Sequence, residues 1–233
     1  MNRRLYALHR WLSAAAFLQL AIWTLSGAFF AMVPIETVRG PFVQDANVLL
    51  LEAGEVVAPR VALGRAAALG LDAPISLELR ASPAGGFWLV RAKNRAIRLS
   101  AESGQAAPVT REEAEATARR DQPASPAVRE ARRIEAAPVE LRGKPVPAWQ
   151  VELDDAAHTV VYVDATSGEV TARRSDLWRA FDFLWSLHIM DYRERESFNH
   201  LLIRGASVLA VLTVFSGLVL WVLRARRWWR ERA

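Results

Sequence analysis

The sequence predicts an α+β membrane protein in which two transmembrane helices flank an exported body made of a repeated unit. Three observations predict this fold. Two long apolar stretches lie near the ends of the 233-residue chain. Basic residues precede the first stretch and follow the second. The polar region between them repeats a helix-plus-sheet pattern. The chain is 52% hydrophobic and 24% charged, so its apolar residues are concentrated in segments.

The two apolar stretches are long enough to cross a membrane. They predict transmembrane helices over residues 11–34 and 201–223, each near or above the roughly 20 residues that spanning requires. The first stretch could also be a cleaved signal peptide, with the small residues Ser26 and Ala28 at its cleavage site. Its apolar run continues to Met32, which favours a retained helix.

Basic residues outside the two spans predict the orientation of the chain. Residues 1–10 contain three arginines, and residues 224–233 contain five arginines and one glutamate. The positive-inside rule then predicts that both basic tails are cytoplasmic, with the body in the periplasm of a bacterial inner membrane. The net charge of +5 therefore belongs to two anchoring tails, and we expect no nucleic-acid partner.

The body is predicted to contain two copies of one unit, at residues 40–107 and 108–173. Each copy starts with a helix, continues with three strands and closes with a similar turn, SAESGQ or DATSGE. The helices are predicted over residues 59–70 and 110–120. The strands are predicted over residues 75–82, 86–92 and 95–100 in the first copy, and over 128–136, 147–153 and 158–163 in the second. Thr110 and Glu113 form a capping-box pair.

An aromatic helix is predicted over residues 175–192, just before the second span. Its larger side chains recur every three or four residues and form one stripe: Trp178, Phe181, Leu184, Trp185 and His188. Such a stripe is typical of an amphipathic helix that lies in the membrane interface. On this interpretation Asp182 and Ser186 face water or the body.

Common catalytic motifs are absent from the sequence. It contains no HExxH, no GxSxG and no glycine-rich phosphate loop. It also contains no cysteine, which excludes disulfides, thiolate metal sites and c-type haem attachment. We therefore predict no catalytic residue and no metal site, and a non-enzymatic role is favoured.

Several stretches resemble a known family. The run VYVDATSGEVTA, which ends at residue 172, resembles the PepSY module. The N-terminal ALHRWLSAAAFLQLAIWTLSGAFF and the C-terminal LWRAFDFLWSLHIMDY with the span that follows resemble the PepSY-associated transmembrane family. The resemblance covers nearly the whole chain. It implies a regulatory protein that binds a partner, either a peptidase or an envelope complex, and small residues in the spans would permit a homo-oligomer.

The same resemblance implies an alternative function. Larger members of the family carry four or more spans, and some are linked to siderophore-iron reduction and haem b. A small haem-b electron-transfer subunit would use His9, His188 and His200 as candidate axial ligands. His9 would lie about 30 Å from the other two if the spans are antiparallel. One iron would therefore take His188 with His200, or one histidine from a second subunit.

The alternative interpretation of these histidines is structural: they anchor the chain at the membrane boundary. Histidine, tryptophan and arginine are common there. The predicted membrane-interface residues are Trp178, Phe181, Trp185, Trp228 and Trp229.

Overall fold

The computed structural model describes residues 3–40 and 56–232. The chain divides into two units. One, called here the helical unit, contains the residues up to Ile35 and those from Ala180 onward, and the other, called the body, contains Glu36–Arg179.

Two helices of 30 residues each dominate the helical unit. They are α1 (Arg3–Met32) and the last helix of the chain (Leu201–Arg230), and both are long and apolar enough to cross a membrane. Each helix extends into a basic tail that was predicted to lie outside the span. Arginine is a good helix former, and extending an existing helix needs no new nucleus. A short helix α2 (Ile35–Arg39) follows α1.

The first copy of the repeat has the predicted composition. Helix α3 (Pro59–Ala68) precedes β1 (Ser76–Ser82), β2 (Gly85–Arg91) and β3 (Ala96–Ser100), which form an antiparallel sheet in the order β1-β2-β3. Small buried alanines on α3 pack on Trp88, Val90 and Leu99 of the sheet. Small residues on the helix let it lie close to the sheet, so this small copy still has a packed core.

The second copy contains one strand more than predicted. Helix α4 (Arg111–Asp121), β4 (Val128–Ile134), a short 3₁₀ turn (Val139–Leu141), β5 (Ala148–Leu153), β6 (Val160–Asp164) and β7 (Val170–Arg174) follow in order. The sheet has the order β4-β5-β6-β7. In the first copy the equivalent residues make only the bridge Leu99–Ala106. Ala107 still donates its N–H to Arg98 O, but Pro108 follows and has no N–H group, so a strand cannot continue there.

The closing turns show that the two copies are built alike. Gly104 donates its N–H to Ser100 O, and Gly168 donates its N–H to Asp164 O, both at 2.9 Å. The two glycines have φ values of +68° and +76°. This left-handed conformation is costly for any residue with a Cβ. The sequence similarity of SAESGQ and DATSGE therefore reflects one shared backbone requirement.

A tryptophan ties each sheet to the segment before its helix. Trp88 Nε1 donates to Val57 O, and Trp149 Nε1 donates to Val109 O, both at 3.1 Å. This second match between the copies, at the other end of the unit, supports duplication of the whole unit. It also satisfies both indole N–H groups, which would be costly to leave unpaired on burial.

The last two helices are α5 (Asp176–Ile189) and α6 (Leu201–Arg230). Residues 176–179 of α5 belong to the body, and residues 180–189 belong to the helical unit. Helix α6 packs along α1.

We expect Gly104→Ala and Gly64→Ala to change stability in opposite directions. Gly104 has φ +68°, so the alanine variant should lose about 1 kcal/mol of unfolding free energy. Gly64 lies inside α3, and a Cβ there meets nothing within 4 Å. Its replacement should therefore gain about 0.5–1 kcal/mol. Thermal or urea unfolding of the full chain in detergent micelles measures the stability change of each variant. Stability changes of the same sign would contradict a left-handed backbone at Gly104.

Candidate functional site

His9 connects α1 to α6. Its Nδ1 lies 2.8 Å from Ser216 Oγ, and its Nε2 lies 3.4 Å from Ser13 Oγ. A Cβ at Gly217 would lie only 3.0 Å from His9 Cε1. Glycine is therefore what lets the imidazole ring lie against α6. Both ring nitrogens of His9 thus have a serine hydroxyl within hydrogen-bonding distance.

His188 makes the corresponding contact at the other end of α1. Its Nδ1 lies 2.7 Å from Ser26 Oγ, and its carbonyl accepts a 2.7 Å hydrogen bond from Trp23 Nε1. A Cβ at Gly27 would lie 4.0 Å from His188 Cε1. Each histidine therefore lies against a Ser-Gly pair on a neighbouring helix. The sequence shows one Ser-Gly pair in each predicted span, at residues 26–27 and 216–217, and small residues in the spans were predicted to permit close helix contacts.

Aromatic rings surround His188. The ring centroids of Phe30 and Trp185 lie 5.5 Å and 6.4 Å from its ring, and Trp185 is nearly parallel to it. Phe30 also meets Phe181 at 4.8 Å. Burial lowers the pKa of His188, because a charged imidazolium loses hydration in such surroundings. The imidazole is therefore neutral near pH 7, the form that can donate one hydrogen bond and accept another.

Helix α5 runs back along the end of α1. At its start Phe181 meets Phe29 and Phe30, and at its end His188 meets Ser26 and Trp23. The contacts thus move backward along α1 as α5 proceeds, so the two helices run in opposite directions. Of the predicted aromatic stripe, Phe181, Trp185 and His188 pack on α1. The depth of α5 in a membrane stays a prediction.

The polar face of α5 does not face water. Asp182 and Ser186 are 5% and 3% exposed, so water, one of the two predicted surroundings, is wrong. Asp182 forms an ion pair with Arg195 of the following connector, and Ser186 Oγ donates to Phe183 O. Trp185 Nε1 donates to Arg195 O at 3.2 Å. The connector therefore folds back over α5 and covers Asp182 and Ser186, which were predicted to face water or the body.

One carboxylate organises the connector between α5 and α6. Asp191 Oδ1 accepts the backbone N–H groups of Arg193 and Glu194, and Oδ2 accepts those of Glu196 and Ser197. Partial desolvation alone would raise the pKa of Asp191, but these N–H groups outweigh it and lower the pKa to about 2. The ionised carboxylate thus holds residues 193–197 of the connector in one loop.

His200 lies directly before α6 and also contacts α5. Its Nε2 is 3.0 Å from Ile189 O. Since Ile189 follows His188, the start of α6 lies near Ser26 at the end of α1. Ser216, which contacts His9, is about 24 Å further along α6 at 1.5 Å per residue. Helices α1 and α6 are therefore antiparallel, and His9 is far from His188 and His200.

The histidines do not fit a bis-histidine haem within a single chain. His9 is too far from the other two to share an iron with them. The ring of His188 packs against Phe30 and Trp185 with its Nδ1 2.7 Å from Ser26 Oγ, and His200 Nε2 lies 3.0 Å from Ile189 O. Over residues 3–40 and 56–232, no group of three or more His, Cys, Asp or Glu side chains could hold a metal ion.

The body contains a cleft that the sequence did not reveal. It has a volume of about 580 Å³ and lies between β1, the edge strand of the first sheet, and β7, the edge strand of the second. Its walls come from four places: β1 with its turn, Phe87 of β2, β7 with the turn before it, and Thr117 of α4. The lining residues include Arg80, Ser82, Phe87, Gly168, Glu169 and Thr171.

Two arginines hold a glutamate at the rim of the cleft. Arg80 forms an ion pair with Glu169, and Arg91 Nη2 lies 3.3 Å from Glu169 Oε2. Partial burial alone would raise the pKa of Glu169, but the two guanidinium groups outweigh it, so this pKa is lowered. Glu78 lies 3.9 Å from Arg80 and 3.8 Å from Arg91, so two carboxylates balance the two guanidinium groups at the rim.

A buried ion pair lies beneath the cleft and joins the two copies. Arg98 on β3 donates from Nη2 to Glu113 on α4 at 2.6 Å, and both side chains are under 5% exposed. The Arg98 guanidinium also lies 3.9 Å from the centre of the Phe87 ring. The predicted capping box is half formed: Thr110 Oγ1 accepts the Glu113 N–H at 3.2 Å. The Glu113 side chain turns to Arg98.

The family of the chain follows from its match to a family model. The model for the PepSY-associated TM region matches residues 7–233. The chain belongs to this family. A search of curated proteins finds no match, and neither does a search of solved structures.

Membership in the PepSY-associated family, together with two apolar helices, identifies the chain as a membrane protein.

Of the predicted interface residues, Phe181 and Trp185 pack on α1. Trp178 lies in the body, and the Arg174 guanidinium lies 3.9 Å from its ring centre. Trp228 and Trp229 stay exposed at the end of α6, with ring centres 5.1 Å apart. Contact of these tryptophans with lipid headgroups stays a prediction.

We expect Gly217→Ala to weaken the packing of α1 on α6. The added methyl would lie 3.0 Å from His9 Cε1, so the imidazole must move and its bond to Ser216 is lost. Overpacking of this kind costs about 1–3 kcal/mol. Gly205→Ala is the matched control, because a Cβ there meets nothing within 4 Å on the same helix. Unfolding in micelles should show a loss of unfolding free energy for Gly217→Ala but not for Gly205→Ala. Unchanged stability of Gly217→Ala would contradict the close approach of His9 to α6.

We expect Asp191→Asn to loosen the connector. An amide offers one acceptor oxygen where the carboxylate offers two, and it carries no charge. Backbone amides of residues 193–197 should exchange hydrogen faster in this variant than in Glu194→Gln, a control in the same loop. The wild-type contribution is full above the unfolded pKa of about 3.9 and is lost as pH falls through about 2. An NMR titration of the Asp191 carboxyl with a midpoint near 4 would contradict this role.

Proposed function

We propose that the chain is a membrane-anchored PepSY protein whose periplasmic body binds and regulates a partner protein, either a peptidase or an envelope complex. The observation that supports the proposal is the cleft in the body. Its volume of about 580 Å³ is typical of ligand sites, which enclose about 300–1,000 Å³. It lies between two copies of a binding module, and its floor is fixed by a buried ion pair.

The arrangement of the helical unit supports the proposed topology. Because α1 and α6 are antiparallel, the arginines before the first span and those after the second lie at the same end. Both groups of positive charge would then stay on the cytoplasmic side of a bacterial inner membrane. The body, which follows α1 and precedes α6, would lie in the periplasm.

Co-purification from native membranes tests this function. The full chain, tagged and expressed at its natural level, should be extracted in a mild detergent such as digitonin. We expect one envelope protein at a fixed stoichiometry that survives a change of detergent and a wash at higher salt. A tagged two-span protein of another family is the control. Recovery of no partner at any constant ratio would count against the proposal.

The second candidate is a haem-b electron-transfer subunit linked to iron or siderophore reduction. His9 lies just before the first predicted span and contacts Ser216 within the second, and this contact favours the candidate because ionisable residues in membrane segments are often functional. Haem would supply one-electron transfer, but the contacts of His9, His188 and His200 do not fit a haem in one chain. A second subunit would therefore have to provide a ligand.

Absorbance separates the two candidates. Protein expressed with ample haem should show no Soret band under the first proposal. A stoichiometric Soret band would favour the second. In that case His9→Ala and His188→Ala would show which end of the helical unit binds haem.

A further inference from the structure

We propose that α5 and the connector after it are embedded in the membrane leaflet farthest from the basic tails, called here the far leaflet. They would lie at its boundary between acyl chains and headgroups, and phospholipid would cover their free apolar surface. The inference goes beyond the proposed function, because it concerns how the helical unit meets the bilayer and requires no protein partner.

The apolar stretches of α1 and α6 are displaced along each other. His9 contacts Ser216, which sets one common level on the two antiparallel helices. From this level toward the far leaflet, α6 reaches its first charged residue, Arg204, after about 18 Å at 1.5 Å per residue. Helix α1 continues without a charged side chain to Met32, about 34 Å from the same level. The apolar surface of α1 therefore extends about 16 Å beyond the level of Arg204.

The exposed face of this extension of α1 is apolar. Its exposed residues recur along one side of the helix: Thr24, Leu25, Ala28, Ala31 and Met32. Leu25 and Met32 are 72% and 75% exposed, and Thr24 Oγ1 donates to a backbone carbonyl of its own helix at 2.8 Å. A helix in water would carry charged residues on such a face. Lipid is therefore the medium that fits this stretch, and it reaches past Arg204.

Helix α5 lies at the level of this extension, because it packs on the same part of α1. Phe181 meets Phe30, and His188 lies against Ser26. These contacts use the aromatic side of α5, so contact with lipid must come from another side. Phe183 provides it, since its side chain is 55% exposed.

The connector continues the exposed apolar surface. Phe198, and Leu201 at the start of α6, are 69% and 85% exposed. Large exposed apolar side chains next to a membrane span are typical of contact with the membrane interface. Exposed charged side chains at positions 193, 194 and 196 limit the depth, because they must reach the headgroups. The connector therefore fits the boundary region and not the centre of the hydrocarbon.

The polar groups of the connector have partners within the protein. The two oxygens of Asp191 accept backbone N–H groups of the loop, and Asp182 forms an ion pair with Arg195. Arg204 donates to Asn199 Oδ1 from Nε at 2.9 Å and from Nη2 at 2.7 Å, so its guanidinium turns back toward the connector. Irregular backbone is tolerated at membrane depth only where its polar groups are paired. These contacts therefore fit an apolar medium independently of the exposed side chains.

Quenching by labelled lipids tests this placement. The chain contains no cysteine, so Phe183→Cys and Phe198→Cys each provide one site for a small bimane label. The full chain would be held singly in nanodiscs of phosphatidylethanolamine and phosphatidylglycerol. Each nanodisc preparation would carry a nitroxide at one depth: on the headgroup, near the top of the acyl chain or near its end. Two sites in different segments keep the test decisive if one variant fails to fold.

We expect both labels to lose most fluorescence with the nitroxide near the top of the acyl chain. Before labelling, both thiols should react with a charged thiosulfonate about tenfold more slowly than the thiol of Glu194→Cys. An apolar medium raises the pKa of a thiol, and only the thiolate reacts. Glu194→Cys is the matched control in the same connector, and its label should be quenched most by the headgroup nitroxide.

Two references calibrate the depth. A label at Val211→Cys, inside α6 and 66% exposed, should be quenched most by the nitroxide near the end of the acyl chain. Bimane-labelled glutathione, free in solution, is the reference for water.

Each outcome supports or overturns the placement. Quenching of Phe183→Cys and Phe198→Cys by acyl-chain nitroxides supports it. Quenching by the headgroup nitroxide alone, or none, overturns it. Thiols that are protected in native membranes but unquenched in single-chain nanodiscs would show that a protein covers this surface, either a partner or a second copy, and would also overturn it.

This test and co-purification fail independently. The nanodiscs contain the chain and lipid alone, so recovery of a partner from native membranes has no effect on the quenching. If no partner co-purifies but both labels are quenched by acyl-chain nitroxides, the regulatory function fails and the embedded segment remains. If a partner co-purifies and the labels are not quenched, the placement is wrong while the function stands.

Discussion

The ion pair between Arg98 and Glu113 is the interaction on which the body depends. Each copy of the repeat is small, and a small unit buries too little apolar surface to be stable alone. The pair joins β3 of the first copy to α4 of the second, with both side chains under 5% exposed. Taking two charges out of water is costly, and removing one partner of such a pair typically costs about 3–5 kcal/mol. The pair therefore contributes more to the specific arrangement of the two copies than to the net free energy of unfolding.

The relation between the copies also explains the cleft. Joining them through β3 and α4 leaves β1 and β7 as the edges on either side of the cavity. Gly168 lies next to the Arg98–Glu113 pair, with the Glu113 Oε1 3.7 Å from where its Cβ would be. The same turn that closes the second copy thus packs on the junction. Duplication of one unit creates a site that neither copy has alone.

Much of the fold could be predicted from the sequence because its signals are local. The two spans follow from length and hydropathy, and the strands follow from alternation and from the glycine turns. Strand β7 was missed because VTARR has little apolar alternation, and its pairing depends on the turn at Gly168. The burial of Asp182 was missed because Arg195 is 13 residues away. The cleft depends on Arg80 and Glu169, 89 residues apart, and no sequence pattern links them.

The two histidine contacts have a mechanical consequence for the helical unit. His9 on Ser216 and His188 on Ser26 lie at opposite ends of α1, about 25 Å apart at 1.5 Å per residue. A rotation of α1 about its axis, or a slide by one turn, would break both hydrogen bonds at once and drive the imidazole of His9 into the backbone of α6. Contacts at two distant points thus fix both the rotation and the register of the helix. The helical unit is therefore suited to act as a stiff anchor. A signal carried by twisting or piston movement of α1 would have to break these two histidine contacts.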